Sequence, residues 1–509
     1  MYIKNIEIHN GCTAEVANYK EQVVADYRGN PFIEALPNLL NANEIVEKLA
    51  FYPPYNPSER GLDSHYRIHM LNRLFQIFQP LPMTLELENK ISRAIRQGYI
   101  FRNPFSPKFS QEFYEDYRKM NKLNGYNNNT YNTSSCGFTL IGISGLGKTT
   151  SLNYILNMYP QVIVHSEYYG TPLSMYQVVW VKLECPFDGS IKGLMYEFFS
   201  TIDTLLKTNY YEKMIKTRAT TDVMLTVMNQ VVRNCALGLL VIDEIQHLST
   251  AKSGGSRKML NFFVNLVNKV GVPVVLVGTP RAVGVLQSEF RQARRGIGIG
   301  GDMICDRLKK DKVWYLLVRS VWHYQWTKKE TPLNEELLNI LYDETQGIPD
   351  LLTKLYAATQ AYAISTGKEE ITTTLIRKVA KEKFKLVQPM IRALKSGNAR
   401  EIAKYEDISI VNLNLDDLLN ATKQTIDINY MIEKIQKNKE QDKQNVSAVE
   451  KEKKSRSKEV KNKKELINPQ DIRYIVDKGK NDGKSAYEAL KESGYIISFD
   501  KDVFNGVVV

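Results

Sequence analysis

An α/β fold built on a doubly wound parallel sheet is the architecture this 509-residue sequence predicts, and three features predict it. The apolar stretch Cys136-Gly-Phe-Thr-Leu-Ile141 runs straight into Gly142-Ile-Ser-Gly-Leu-Gly-Lys-Thr149, which has the G-x-x-x-x-G-K-T form of a P-loop. Further on, Leu239-Leu-Val-Ile-Asp-Glu244 is an apolar run ending in paired acids, as a buried parallel strand delivering a Walker B site would be. Between and after these motifs, helical and strand-like periods alternate in a βαβ rhythm, which places ligands at the C-terminal ends of the strands. Both motifs fall at such ends.

The loop explains its own composition. Gly142, Gly145 and Gly147 let the backbone fold tightly enough for successive N–H groups to face a polyphosphate, with Ser144 and Leu146 between them and Thr150 closing the stretch. Lys148 would reach the β- and γ-phosphates, and Thr149 would offer its hydroxyl to Mg²⁺. The bland alternative is a glycine-rich surface turn, but at average residue frequencies the fixed positions match by accident roughly 2% of the time in a chain this long. That alternative must also account for Asp243, placed to hold Mg²⁺ through water, and Glu244, placed to polarise the attacking water. ATP and Mg²⁺ are therefore the expected cofactors, and the acid pair suits hydrolysis rather than binding alone.

Length and composition bound the rest. A chain of this size predicts two to four units, and 43% hydrophobic residues suffice for a large core. The net charge of +12 favours a polyanionic partner, either nucleic acid or an acidic membrane surface. Cysteines at 12, 136, 185, 235 and 305 form no C-x-x-C pair and read as reduced thiols, and the scattered histidines give no metal site beyond nucleotide-bound Mg²⁺. The N-terminus lacks the order of a signal peptide and no apolar run approaches a membrane span, so a cytoplasmic protein is expected.

Taken in order, residues 1–123 are rich in Tyr, Phe and Pro. Tyr27-Arg-Gly-Asn-Pro-Phe-Ile-Glu-Ala-Leu-Pro37 reads as a turn into a short apolar element, and Leu85, Ile91 and Ile95 in the block 83–97 lie at helical spacing. Packing on a neighbouring domain and docking of partners are both open for this region. The polar run 124–135 reads as a linker, and 136–331 as the nucleotide-binding domain. Within that domain Gln161–Ser166 and Gln177–Glu184 are strand-like with a turn at 168–172, helices fall near 221–236 and 257–270, and Val272–Gly278 is a further strand. The Thr279 hydroxyl would then stand where a γ-phosphate could be sensed, unless it is merely a turn residue. Arg291, Arg294 and Arg295 precede a glycine-rich loop; one of them could serve a neighbouring subunit as an arginine finger, or all could line a basic surface helix. Lys252, Arg257 and Lys258 lie in a Ser/Gly-rich segment after the acids, and Lys192 near the start of a helix after Cys185-Pro-Phe-Asp-Gly-Ser190. Such cations suit DNA phosphates, the alternative being a solvated loop.

From 332 to 430 the period is helical, over 333–344, 349–366 and 372–384, which reads as the lid of an AAA+ module. The stretch Gly347-Ile-Pro-Asp350 offers no Arg to a nucleotide, with Lys354 a weak substitute. Residues 433–465 carry twelve Lys/Arg against seven Asp/Glu, a net of +5, and the span 431–465 reads as a disordered basic linker. Residues 466–509 are again apolar but too few for a core of their own, as a partner-binding tail would be.

These stretches together resemble the TnsC/TniB family of AAA+ transposition regulators, and its longer TnsC branch in particular. The matching pieces are Arg28–Pro37, the P-loop with Thr149-Thr-Ser-Leu152, Cys185–Lys192, Leu237–Ser249, Ser253-Gly-Gly-Ser256 with Met259–Val264, Ala293-Arg-Arg-Gly296 and, in the tail, Asp471-Ile-Arg-Tyr-Ile475. The resemblance implies an ATP-dependent protein that assembles with itself into rings or filaments on double-stranded target DNA. It would join a target-selection protein to the transposase, with residues 466–509 engaging an endonuclease subunit, while ATP hydrolysis disassembles complexes. Other readings stay open: an AAA+ replication initiator or helicase loader, and a nucleotide-regulated scaffold that barely hydrolyses ATP, against which the intact Glu244 speaks.

Overall fold

The structure, a computed structural model, describes residues 5–8, 12–106, 137–250, 271–283, 301–385, 387–398 and 401, with isolated positions between 478 and 492. The chain divides into two units, Met1–Gln436 and Lys437–Val509, and the first holds all the architecture that follows.

Its N-terminal part begins with β1 (Asn5–Glu7) and β2 (Thr13–Val16), an antiparallel pair. Then come α1 (Pro31–Glu34), α2 (Ala42–Leu49), α3 (Ser64–Met70) and α4 (Pro82–Ile100). Asn30 starts α1 by accepting the Phe32 N–H at 3.1 Å, with Pro31 at the first helical position, where its missing N–H costs nothing. Asn41 and Glu44 close a capping box around α2. Leu85, Ile91 and Ile95 are all buried, on the face of α4 that lies against the large sheet. At its far end the Tyr99 hydroxyl donates to the Ala236 carbonyl at 2.7 Å. Residues 31–100 pack into the apolar clusters of the nucleotide-binding and helical parts.

The nucleotide-binding part runs β3 (Phe138–Gly142), α5 (Lys148–Leu156), β4 (Val162–Tyr168), β5 (Thr171–Val178), β6 (Trp180–Glu184), α6 (Ile191–Leu206), α7 (Tyr210–Lys216), α8 (Thr221–Asn234), β7 (Leu239–Asp243), β8 (Val274–Gly278) and β9 (Asp302–Cys305). The large sheet has the order β6-β7-β8-β3-β9, and every neighbouring pair in it is parallel. Strands β3, β7 and β8 are buried along their whole length because both faces are covered, which is why they read as unbroken apolar runs. One face meets Phe198, Phe199, Met224 and Val231 of α6 and α8; the other meets Leu87, Ile91, Leu152 and Ile155 of α4 and α5.

One expected strand is corrected. Gln177–Glu184 is not a single strand: β5 ends at Val178 and pairs antiparallel with β4 in a smaller sheet of order β1-β2-β4-β5, whereas β6 begins at Trp180 and belongs to the large one. The crossing is held by the backbone, Val178 N–H donating to Cys235 O at 2.8 Å and Val179 N–H to Gln161 O at 2.9 Å. An apolar run carries no mark of where its pairing partners change. The turn between β4 and β5 is a two-residue hairpin in which Tyr169 and Gly170 both have positive φ, 45° and 83°.

The helical part comprises α9 (Lys312–Trp322), α10 (Glu335–Thr345), α11 (Pro349–Ser365), α12 (Thr373–Lys383) and α13 (Gln388–Ser396). Helix α9 precedes residue 332, yet its Trp314, Val318 and Val321 pack with Leu341, Leu355 and Ile376 in one apolar cluster, joined by Tyr55, Leu71 and Leu74 from the N-terminal part. Gly347, at φ +76°, lies so close to the loop after β9 that a Cβ there would collide with the Leu308 carbonyl oxygen. No helix among the described residues is long and apolar enough to cross a membrane. The expected linkers 124–135 and 431–465, the helix near 257–270 and most of 399–430 and of the tail lie outside the described residues.

Candidate nucleotide site

The P-loop joins β3 to α5. Gly145 and Gly147 take positive φ, +82° and +84°, and Gly147 is the N-cap of α5, so its backbone can do what a side-chain-bearing residue resists. The Lys148 ammonium is folded onto the loop, donating to the carbonyls of Gly142 at 2.7 Å and Ile143 at 2.9 Å. Ser144 and Thr150 are exposed, while Leu146 and Ile143 are buried in the helical cluster. The start of α11 touches the loop directly: the Asp350 N–H donates to Gly145 O at 3.1 Å. Lys354 lies one turn further along α11 and pairs with the Asp350 carboxylate at 2.6 Å.

The acids arrive at the end of β7. Asp243 is 3% exposed. Its Oδ2 accepts from the Thr149 hydroxyl at 3.1 Å and lies 3.1 Å from the Lys182 ammonium; its Oδ1 accepts the Glu244 N–H at 3.0 Å. Glu244 itself sits at φ +58°, a conformation uncommon for a side-chain-bearing residue and frequent at functional sites. The Gln246 amide donates to the Glu244 carboxylate, while its carbonyl oxygen accepts the Thr279 N–H at 3.2 Å. Thr279 thus lies at the end of β8, buried, and is tied to the acid pair through Gln246. The Thr149 hydroxyl and Asp243 carboxylate are hard oxygen donors within 3.1 Å of each other, a pair that fits Mg²⁺.

Lys182 and Gln246 were not among the expected site residues. Lys182 had a signal, as the one charge inside Val178-Val-Trp-Val-Lys-Leu183; Gln246 had none. A further chain of contacts leads outward from the acids. The His247 N–H donates to the Glu244 carbonyl at 3.1 Å, its Nδ1 lies 2.9 Å from the Cys185 carbonyl oxygen, and its ring meets exposed Phe187 edge-on at 5.3 Å. Lys192 follows on the first turn of α6, its ammonium 5.7 Å from the centre of the Tyr196 ring. Lys252, Arg257, Lys258, Arg291, Arg294 and Arg295 lie outside the described residues. Burial pushes the thiols of Cys185, Cys235 and Cys305 up to about 12, so none of them supplies a thiolate near neutral pH.

Among solved structures the chain is similar to Cdc6p from Pyrobaculum aerophilum, at 16% identity over 62% of this chain and 85% of that one with a TM-score of 0.36. It is similar too to the Walker-type ATPase of Pyrococcus abyssi (15%, 64% and 88%, 0.34) and to the Aeropyrum pernix ORC1 protein, solved in complex with DNA (12%, 64% and 81%, 0.34). No curated protein matches the sequence. Residues 133–286 match the family model of the AAA domain, so the chain carries an AAA+ P-loop domain of α/β fold on a parallel sheet.

Proposed function

We propose that this protein is an ATP-dependent, DNA-binding AAA+ regulator of DNA transposition, which assembles on target DNA and uses ATP hydrolysis to control that assembly. The observation that carries the ATPase part is the meeting of Thr149 and Asp243, with Glu244 beside them at the strand end. Bound Mg²⁺ would supply charge neutralisation for the phosphates. Thr149 and Asp243 would hold it; Lys148 would leave its loop carbonyls for the phosphates, and Glu244 would orient and polarise the attacking water. Gln246 keeps Glu244 aimed and carries its position to Thr279, which would read the γ-phosphate. One of Arg291, Arg294 and Arg295 would complete the site of a neighbouring subunit.

The DNA and transposition parts rest on the sequence blocks that resemble the TnsC/TniB family and on the net charge of +12. Lys192, Lys252, Arg257 and Lys258 would follow the phosphate backbone of double-stranded DNA. Residues 466–509 would engage the endonuclease subunit of the transposase, and a target-selection protein would bind elsewhere on the oligomer. Electron microscopy of the full chain with duplex DNA and a nonhydrolysable ATP analogue tests this reading. Rings or filaments threaded by DNA are expected; a protein that binds nucleotide but stays monomeric and off DNA would be a scaffold instead.

A further inference from the structure

Asp243, the carboxylate expected to hold Mg²⁺, already has a cation beside it. Lys182 projects from β6, the strand next to β7, and its ammonium lies 3.1 Å from Asp243 Oδ2, the same oxygen that accepts the Thr149 hydroxyl. Both groups are largely shielded from water, with side-chain exposures of 17% for Lys182 and 4% for Asp243. An ion pair so placed is far less screened than one at the surface, and a buried carboxylate stripped of its counter-charge is costly. With Glu244 N–H on Oδ1, the carboxylate is satisfied by the chain's own groups.

The ammonium also has a second partner. It donates to Asn153 Oδ1 at 3.1 Å, and Asn153 stands one turn after Thr149 on the same face of α5. Lys182 can therefore give up Asp243 and remain held against α5.

We propose that Lys182 is a resident cation that positions and neutralises Asp243 before magnesium arrives, and that it sets the magnesium demand of the site by competing for the same oxygen. The inference rests on the reading of Asp243 as the magnesium-side acid. A divalent cation beside Asp243 is repelled by an ammonium at hydrogen-bond range, so loading requires the Lys182 head group to swing off Asp243 while keeping its bond to Asn153. The pair would hold the free protein together while making stable nucleotide retention conditional on the free magnesium level.

The test is a magnesium titration of the release rate of a fluorescent ADP analogue from the full-length protein, alongside thermal unfolding of nucleotide-free protein in EDTA. Lys182→Met should lower the magnesium midpoint for slow release by about fivefold or more, the low end of coupling between two linked binding events. It should also melt earlier in EDTA and regain part of that loss with magnesium and nucleotide. Lys182→Arg, which keeps the charge, should have a midpoint near the native one. If Lys182→Met does not fold, Lys182→Gln provides the same comparison with a neutral donor. A midpoint that is unchanged or higher in the neutral variant overturns the inference while leaving the site reading intact. A native protein whose nucleotide release ignores magnesium overturns both.

Discussion

Gln246 joins Glu244 to Thr279: its amide donates to the Glu244 carboxylate and its carbonyl oxygen accepts the Thr279 N–H at 3.2 Å. One side chain therefore spans the ends of two neighbouring parallel strands, β7 and β8, at the site where the attacking water would be activated. Gln246→Ala should lower kcat for ATP hydrolysis by about tenfold, the usual cost of losing a group that orients a reacting one, while leaving nucleotide affinity near native. Steady-state kinetics beside equilibrium nucleotide binding would check this, and a loss seen in affinity alone would remove Gln246 from a positioning role.

Lys148 and Glu244 should separate binding from turnover. Lys148→Ala is expected to abolish ATP binding and, with it, stable DNA binding. Glu244→Gln should bind ATP and hold DNA persistently while turning over about 100-fold more slowly or worse, the scale of a lost general base. Normal turnover by Glu244→Gln in a phosphate-release assay would exclude it as the water-polarising group.

The N-terminal part and the helical part are clamped by Arg67, whose guanidinium makes two bonds of 2.7 Å to the two Glu369 oxygens and a third of 2.8 Å to the Trp326 carbonyl. The Arg67 side chain is 2% exposed, so Arg67→Met should cost about 3 kcal/mol by leaving Glu369 without its main partner. The same bonds to Arg67 hold the Glu369 carboxyl below its ordinary 4.5. Because the folded value is the lower one, this contribution is fully present above about pH 4.5 and fades as pH falls through the folded value. Urea unfolding at a series of pH values should show that loss in the native protein and a flatter acid limb in Glu369→Gln.

Lys192 is the described member of the proposed phosphate-binding set, and its loop reaches Glu244 through Cys185 and His247. Lys192→Ala should weaken binding equally across duplex sequences and reduce the slope of log affinity against log salt by about one unit. Affinity lost on some sequences only, or an unchanged slope, would show that Lys192 does not contact the DNA backbone.

Much of this protein is legible in its sequence. The P-loop, the paired acids and the apolar strands leading into them are local signals, since a phosphate cradle needs glycines at set spacing and a doubly covered strand needs an unbroken apolar run. The helices α8, α10, α11 and α12 are readable for the same reason, their periods being written in neighbouring residues. What tertiary structure decided is who meets whom. No period in Gln177–Glu184 marks Val179 as the crossing between two sheets, because strand partners come from distant segments. The placing of Lys182 against Asp243, of Gln246 between Glu244 and Thr279, and of Arg67 on Glu369 follows from the stacking of whole elements, each pair being joined by contacts that sequence spacing does not encode. Sequence determined which chemistry the chain can offer at its strand ends; folding determined which charges stand guard over it.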